Sequence, residues 1–364
     1  MQRENQSKLN RLIQELCPEG VEYRKLGEVL TICNGKDYKN LNPGSVPVYG
    51  SGGVLTYVDK SLYDKPSVLI PRKGSLDKLY YLEIPFWTVD TLFYTDINCS
   101  LVVPKFVYYV LQKEHLEDLN VAGGVPSLTQ KVLNLVPIPV PPLPVQSEIV
   151  RILDAFTALT AELTAELTAR RKQYEYYRDR LLKFDDLTGG IRWVELNEVA
   201  KGISSGKNKE KLEGGSFPVY GSTGIIAYTE TAVYDEPRIL VARVGANAGY
   251  VHIADGMYDV SDNTLIIDLK MDKALLRYVY HVLTNMNINQ YAKGGGQPLI
   301  TASLLKDLPI PLPPLSEQRR IVSILDRFDA LCNDLTVGLP AEIDARRKQY
   351  EFYRDRLLDF QRKE

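Results

Sequence analysis

The sequence predicts an α+β protein in which two pseudo-symmetric lobes of mixed α and β structure are joined by two long antiparallel helices packed as a coiled coil. Three observations lead there. The chain is an internal duplication: Arg170 to Phe184 reads RRKQYEYYRDRLLKF and Arg346 to Phe360 reads RRKQYEFYRDRLLDF, differing only at Tyr176/Phe352 and Lys183/Asp359. Ahead of each motif, apolar residues recur at intervals of three and four, the spacing of one helix face. Further upstream the segments are short, β-branched and aromatic, separated by Gly, Pro and Asp, which is the strand pattern.

Taken in order, the expected divisions are an N-terminal helical segment at 1–19, a first lobe at 20–143, a central helical arm at 144–184, a second lobe at 185–315 and a C-terminal arm at 316–364. In the first lobe VPVYG, VLTYV, SVLIP and LYYLEIPFW read as strands. Pro104 can open a helix running through Phe106, Val107, Val110, Leu111 and His115; its counterpart is expected from about Asp272 through Leu275, Leu276, Val279, Val282 and Leu283. The lobes correspond loosely, Pro47 to Ser51 with Pro218 to Ser222 and Leu62 to Pro66 with Val233 to Pro237. They lack the regular alternation of a doubly wound sheet. A Pro-rich turn, Pro137 to Leu143 or Pro309 to Leu315, then leads into IVRILDAFTAL or IVSILDRFDAL.

The first arm carries its apolar stripe at Ile149, Ile152, Leu153, Phe156, Leu159, Leu163, Leu167, Tyr174, Tyr177 and Leu181. The second has Ile321, Ile324, Leu325, Phe328, Leu331 and Leu335, so the two stripes can cover each other. A continuous helix from Val145 to Phe184 would extend ~60 Å. Gly338 and Pro340 should kink or break the second arm, because an interior proline removes a hydrogen bond and clashes with the preceding turn.

Composition narrows the function. The 364 residues, 45% hydrophobic and 25% charged, suit two globular domains and exclude disorder. Forty-four basic against 46 acidic residues give a formal charge of −2, so any nucleic-acid contact must come from local patches. The polar start MQRENQSKLNRLIQEL and the lack of any apolar run near 18 residues lead us to expect a cytoplasmic protein without membrane contact. Cys17, Cys33, Cys99 and Cys332 are scattered and should be free thiols.

Enzyme signatures fail. Gly202 to Asn208 is too short between its glycines for a phosphate loop and lacks the magnesium-holding Ser or Thr. His115 and His281 fall in expected helices and His252 in an expected strand, far apart in the chain, so neither HExxH nor a Cys/His metal cluster is formed and packed or surface histidines are expected. There is no GxSxG elbow and no GxGxxG after a strand. No catalytic or metal-binding residue is therefore assigned. Gly123-Gly124 and Gly294-Gly295-Gly296 recur at matching places, either as turns or where backbone approaches a ligand.

The arms have stayed nearly identical while the lobes have diverged, so the two answer to different constraints. Identical arms suit two copies of one partner, and diverged lobes suit two different targets. Arg170, Arg171, Lys172, Arg178, Arg180 and Lys183 face only Glu175 and Asp179 within the motif, more cation than an internal seam needs. Candidate partner contacts are Arg170, Arg171, Tyr174 and Arg178, with Arg346, Arg347, Tyr350 and Arg354 in the copy. The alternative is that each motif packs only against its own copy.

The duplicated layout, the PIPxPPL turn before an IVxILD helix, the TAEL repeats at Thr160 to Leu167 and the RRKQYExYRDRLL motif together resemble the specificity subunit of type I restriction-modification systems, over nearly the whole chain. The lobes resemble the family's target recognition domains through IPRKGS (Ile70 to Ser75) with VARVGA (Val241 to Ala246), and VDTL (Val89 to Leu92) with DNTL (Asp262 to Leu265). The resemblance implies that each lobe reads half of a split, asymmetric site on double-stranded DNA and that the arms set the spacing. It also implies that the arms recruit two methyltransferase subunits and, through them, restriction/translocase subunits. S-adenosylmethionine, ATP and magnesium would belong to those partners, and none is expected in this chain.

Basic clusters that could meet DNA are Lys36 with Lys39, Arg72 with Lys73, and Lys207 with Lys209 and Lys211. Lys36 and Lys207 follow Gly35 and Gly206, and Arg72 corresponds to Arg243; corresponding positions favour phosphate clamping. Base readers should differ between lobes, which points to Ser75, Asp77, Lys78 and Asn247. Solvated loop charge is the plainer alternative for each. For the whole chain, the alternatives are an enzyme with a site between pseudo-symmetric lobes, or a pseudo-dimeric scaffold or binding protein for non-nucleic-acid ligands.

Overall fold

A computed structural model describes residues 2–120, 126–184, 191–208, 214–293, 298–334 and 336–363. Lys209, Lys211, Leu335 and both glycine runs noted above lie outside the described residues. The chain forms two compact units, Met1–Thr164 with Ile343–Glu364, and Ala165–Glu342. Each unit is one lobe together with pieces of both arms.

In the first unit the lobe is built on a four-stranded antiparallel sheet in the order Leu30–Asn34, Leu92–Ile97, Ser67–Pro71, Tyr80–Leu82. Ser67–Pro71 is buried at every residue, which explains why SVLIP is a continuous run without alternation. Helix Pro104–Lys113 covers one face, its Phe106, Val107 and Val110 packing in one core with Val68, Ile70 and Phe93. Leu69, Leu82, Phe86 and Leu92 cluster with Tyr49, Tyr63, Tyr80 and Tyr94 in a second core. Tyr49 belongs to a three-stranded sheet in which Pro43–Gly50 pairs antiparallel with Gly53–Val58 and parallel with Trp87–Thr88.

The second unit repeats this plan. Its four-stranded sheet runs Ala200–Ser205, Thr264–Leu269, Arg238–Ala242, Val251–Ala254, and its three-stranded sheet joins Phe217–Gly221 to Gly224–Thr229 and Asp259–Val260. The helix opposite is Leu276–Asn285.

Three local expectations are corrected. Pro137–Pro139 and Pro309–Leu312 are not merely turns but strands, paired antiparallel with Tyr23–Lys25 and Arg192–Glu195. Proline at alternate positions of a two-stranded ribbon places the missing N–H groups on its open edge. The second lobe's helix starts at Leu276 rather than near Asp272, because the N–H of Leu275 is taken by the side chain of Gln318 (2.8 Å). His115 lies beyond its helix in the left-handed region (φ 43°), as does Asn287 (φ 48°) in the other lobe.

Gln318 and its counterpart Gln146 are fully buried and fully used. Gln146 accepts from Val103 N–H (2.7 Å) and donates to the carbonyls of Leu101 (2.9 Å) and Pro141 (2.7 Å); Gln318 donates to those of Lys273 (3.3 Å) and Pro313 (2.9 Å). A buried amide satisfied in this way fixes one geometry, because leaving any of these groups unpaired is costly. Two helical turns further on, a carboxylate repeats the device: Asp154 takes Lys105 (3.0 Å) and the Tyr109 hydroxyl, and Asp326 takes Arg277 (2.7 Å) and His281 Nε2 (2.6 Å).

The first arm is a single helix, Leu143–Leu182, about 60 Å long at 1.5 Å per residue. The second is broken into Leu315–Asn333 and Leu339–Leu357. At the break Asp334 Oδ1 accepts from the backbone and hydroxyl of Thr336 (2.7 and 2.6 Å), and a Cβ on Gly338 would come within 2.5 Å of the Ala330 carbonyl. The arm helices pair antiparallel. In the first unit Phe156 stacks on Tyr353 (5.3 Å), and in the second Tyr177 stacks on Phe328 (5.6 Å). The apolar stripe is only partly covered: Ile149 and Leu153 are buried, but Leu159 and Tyr177 are each 37% exposed.

The first unit is also closed by a pairing of Val21 with residues 361–363. Val21 N–H donates to the Gln361 carbonyl (2.8 Å) and Lys363 N–H to that of Val21 (2.9 Å). Gly20, at φ 95° and with no room for a Cβ beside the Gln361 carbonyl, permits that approach. In the second unit the arm and lobe that correspond are joined by continuous chain.

Candidate nucleic-acid interface

The matched lysines sit at equivalent points of the two lobes. A Cβ on Gly35 would be 2.0 Å from the Val89 carbonyl, and one on Gly206 2.3 Å from that of Val260, so both sites require glycine for close backbone packing rather than for a positive φ. The next residue is thereby fixed: Lys36 N–H donates to the Thr88 carbonyl (2.8 Å) and Lys207 N–H to the Val260 carbonyl (3.0 Å). Both side chains are exposed. This tight seat also disposes of the phosphate-loop reading of Gly202 to Asn208, since Ala200–Ser205 is a sheet strand.

The arginines match as closely. Arg72 N–H donates to the Thr91 carbonyl (2.9 Å) and Arg243 N–H to that of Asn263 (2.9 Å). Each guanidinium reaches back to a carbonyl, Arg72 to Asp90 (3.4 Å) and Arg243 to Asp262 (3.5 Å). Gly74 (φ 87°) and Gly245 (φ 83°) then turn the chain, donating to the carbonyls of Pro126 and Pro298 (both 3.2 Å). These bonds pair Asp90 with Asp262, not with Asn263, so the sequence pairing of VDTL with DNTL is one residue out of register. Val89 to Leu92 corresponds to Ser261 to Thr264.

Around this common seat the exposed side chains differ. Lys73, Ser75, Asp77 and Lys78 are exposed in the first lobe, and Ala246, Asn247 and Tyr250 in the second. Sequence comparison missed Tyr250. The second loop is one residue longer, and only the strand pairing, with Tyr80 opposite Leu69 and His252 opposite Leu240, places Tyr250 where Lys78 stands. The hairpin beside the loop is held differently too. Ser51 N–H donates to Thr91 Oγ1 (3.3 Å) and Tyr80 Oη donates to the Ser51 carbonyl (3.1 Å), whereas His252, at Tyr80's position, lies between Tyr220 and Tyr250, 5.7 Å from each ring.

Both ring nitrogens of His252 are buried without a hydrogen-bond partner among the described residues, and burial pushes its pKa down to about 4. His281 is buried beside Asp326; desolvation, the larger influence, lowers its pKa against the pull of that carboxylate. His115 is exposed near Glu117 (3.3 Å). Among the described residues no group of three His, Cys, Asp or Glu could hold a metal, and no helix is long and apolar enough to cross a membrane. All four cysteines are free.

On the arms, the motif divides into inward and outward residues. Tyr174 lies 6.2 Å from the Phe328 ring, and Tyr350 donates to Gln112 Oε1 (2.8 Å). Arg178 lies over Tyr174 and pairs with Asp179 (2.9 Å), and Arg354 lies over Tyr350 and pairs with Asp355 (2.7 Å). Arg170 and Arg346 donate to Gln173 (3.0 Å) and Gln349 (2.9 Å). Arg171 is exposed, as is Arg347, which reaches Glu351 (3.3 Å).

Each of the two duplicated lobes thus carries a lysine and an arginine on the same backbone seat, with differing exposed side chains around it. The family model for the type I restriction modification DNA specificity domain matches twice, over residues 18–170 and 191–345. The chain is 33% identical over 390 residues to the EcoR124I/EcoR124II specificity subunit of Escherichia coli, covering 94% of this chain and 95% of that one. It is 39% identical over 219 residues to the EcoprrI specificity subunit of the same species, covering 56% and 54%. Its fold matches the crystal structure of a type I restriction-modification S subunit from M. genitalium, with a TM-score of 0.70 at 17% identity over 93% and 96% of the chains. This chain therefore belongs to the type I restriction-modification specificity subunits, which are DNA-recognition components and not catalytic ones.

Proposed function

We propose that the chain reads a split, asymmetric site on double-stranded DNA, one half with each lobe, in the cytoplasm. On this reading residues 20–143 and 185–315 are the two recognition domains, and the arms recruit two methyltransferase subunits and, through them, restriction/translocase subunits. The observation that carries it is the seat repeated in both lobes: Gly35-Lys36 with Arg72, and Gly206-Lys207 with Arg243, surrounded by side chains that differ. Phosphate contacts carry no sequence information and suit the repeated residues; base contacts suit the differing ones. The outward Arg171 and Arg347, equivalent on two near-identical motifs, suit two copies of one partner. A scaffold for non-nucleic-acid ligands is disfavoured by the family match.

The test is to co-express the chain with its methyltransferase partners and sequence the methylated bases. A bipartite motif is expected. Replacing residues from about Leu26 to Pro137 with the corresponding lobe of a relative should change one half of that motif and leave the other intact. Loss of both halves in a folded, assembled complex would show that the lobes are not independent readers.

A further inference from the structure

Beyond the shared seat, Lys78 and Tyr250 differ in chemistry at equivalent places of the two lobes, and the second of them is built with support beneath it. Tyr250 is held at both backbone groups: its N–H donates to the Asn247 carbonyl (2.8 Å), and its carbonyl accepts from Ala242 N–H (2.8 Å), next to Arg243. Tyr250 is 56% exposed. The ring stacks at 27° on His252. His252 makes no hydrogen bond among the described residues with either buried nitrogen, and its ring lies 5.7 Å from those of both Tyr250 and Tyr220. In the first lobe the same strand position, Tyr80, instead uses its hydroxyl to pin the hairpin tip at Ser51. One strand position thus supports the hairpin in one lobe and the exposed ring in the other.

We propose that Tyr250 is a specificity-determining residue of the second lobe, that it reads an A·T pair by packing its ring on the thymine methyl, and that His252 is its positioning residue. A phenol ring cannot form the paired hydrogen bonds that read guanine, whereas an apolar face suits the methyl group that only thymine presents in the major groove. Lys78, at the equivalent place, has the opposite chemistry and suits the guanine acceptors. The proposal rests on the lobes reading DNA.

The experiment uses the assembled complex with methyltransferase partners and sequencing of methylated bases. Wild type supplies the reference: a motif without two halves would sink the proposed function itself, before Tyr250 is reached. Given that motif, Tyr250→Ala should relax one A·T position in one half-site, with discrimination there falling roughly fivefold or more. Tyr250→Lys should shift the same position toward G·C. His252→Ala should relax that position alone, and His252→Phe, which keeps a flat ring underneath, should restore it. An unchanged motif in both Tyr250 variants would overturn the proposal. So would uniform loss of methylation in Tyr250→Phe and Tyr250→Lys complexes that still assemble, since the residue would then position the lobe as a whole.

Discussion

A methyl group added at Gly206 would meet the Val260 carbonyl, in strand Asp259–Val260, at 2.3 Å, and one at Gly35 the Val89 carbonyl, which directly follows strand Trp87–Thr88, at 2.0 Å; both are backbone atoms held by neighbouring strands. Gly35→Ala or Gly206→Ala should therefore destabilise the chain by about 1–3 kcal/mol, as overpacking does, which chemical denaturation would read directly. Stability unchanged within error would mean that the seat yields. His252 makes a second prediction at this scale. Its folded pKa of about 4 lies below the ~6.5 of an unfolded histidine. Above pH 6.5 both states are neutral and nothing is lost. As the pH falls below that, the unfolded chain takes the proton first, so stability declines, by about 2 kcal/mol at pH 5, and levels off below pH 4. The melting temperature of wild type should fall further between pH 7 and pH 5 than that of His252→Phe, and equal falls would contradict the assignment. The sequence matched Lys36 with Lys207 and Arg72 with Arg243, the same pairs that share backbone seats in the structure, because they lie in short runs that align without gaps. It could not place Tyr250, because a single inserted residue breaks the local correspondence that only strand pairing restores.

At the level of elements, the tandem Thr160-Ala161-Glu162-Leu163 and Thr164-Ala165-Glu166-Leu167 lies where the two compact units meet along the chain, between Thr164 and Ala165. Its threonines bond back to carbonyls one turn earlier, Thr160 to Phe156 (3.0 Å) and Thr164 to Thr160 (2.8 Å), so the repeat is self-contained helix. A third TAEL would lengthen the helix by ~6 Å and leave a net rotation of about 40°. B-DNA advances ~3.4 Å and turns about 35° per base pair, so the half-sites should be unchanged and one base pair further apart, or at most two. Four alanines should act alike, since length and phase carry the effect. Two inserted residues would rotate the rest of the helix by ~200° and abolish activity. Methylated-base sequencing that returned the original spacing for the TAEL variant would show that the arm is not the ruler. The second arm is four residues longer between shared landmarks, Leu331 to Arg346 against Leu159 to Arg170, and that stretch contains the break around Asp334 and Gly338. Proline and glycine announced that break in the sequence, since both act locally.

For the molecule as a whole, a formal charge of −2 leaves little long-range attraction for DNA, so affinity must come from few, well-placed cations. Replacing both Arg72 and Arg243 by Ala should weaken binding and reduce the steepness of its salt dependence, without altering the methylated motif. Titration of the assembled complex at several salt concentrations reads the slope, and a changed motif would make these arginines base readers instead. What the sequence by itself determined was whatever repeats or recurs along a short stretch: the duplication, the helical arms and their break, the strand character of the lobes, and the paired lysines and arginines. Only the tertiary structure decided the register of Asp90 with Asp262, the coupling of lobe to arm through Gln146 and Gln318, the pairing of Val21 with Gln361 and Lys363, and the stacking of Tyr250 on His252. Periodicity and capping are properties of neighbouring residues and are written in their order. Pairings across tens or hundreds of residues depend on which surfaces meet once the core has closed, and no local pattern records them.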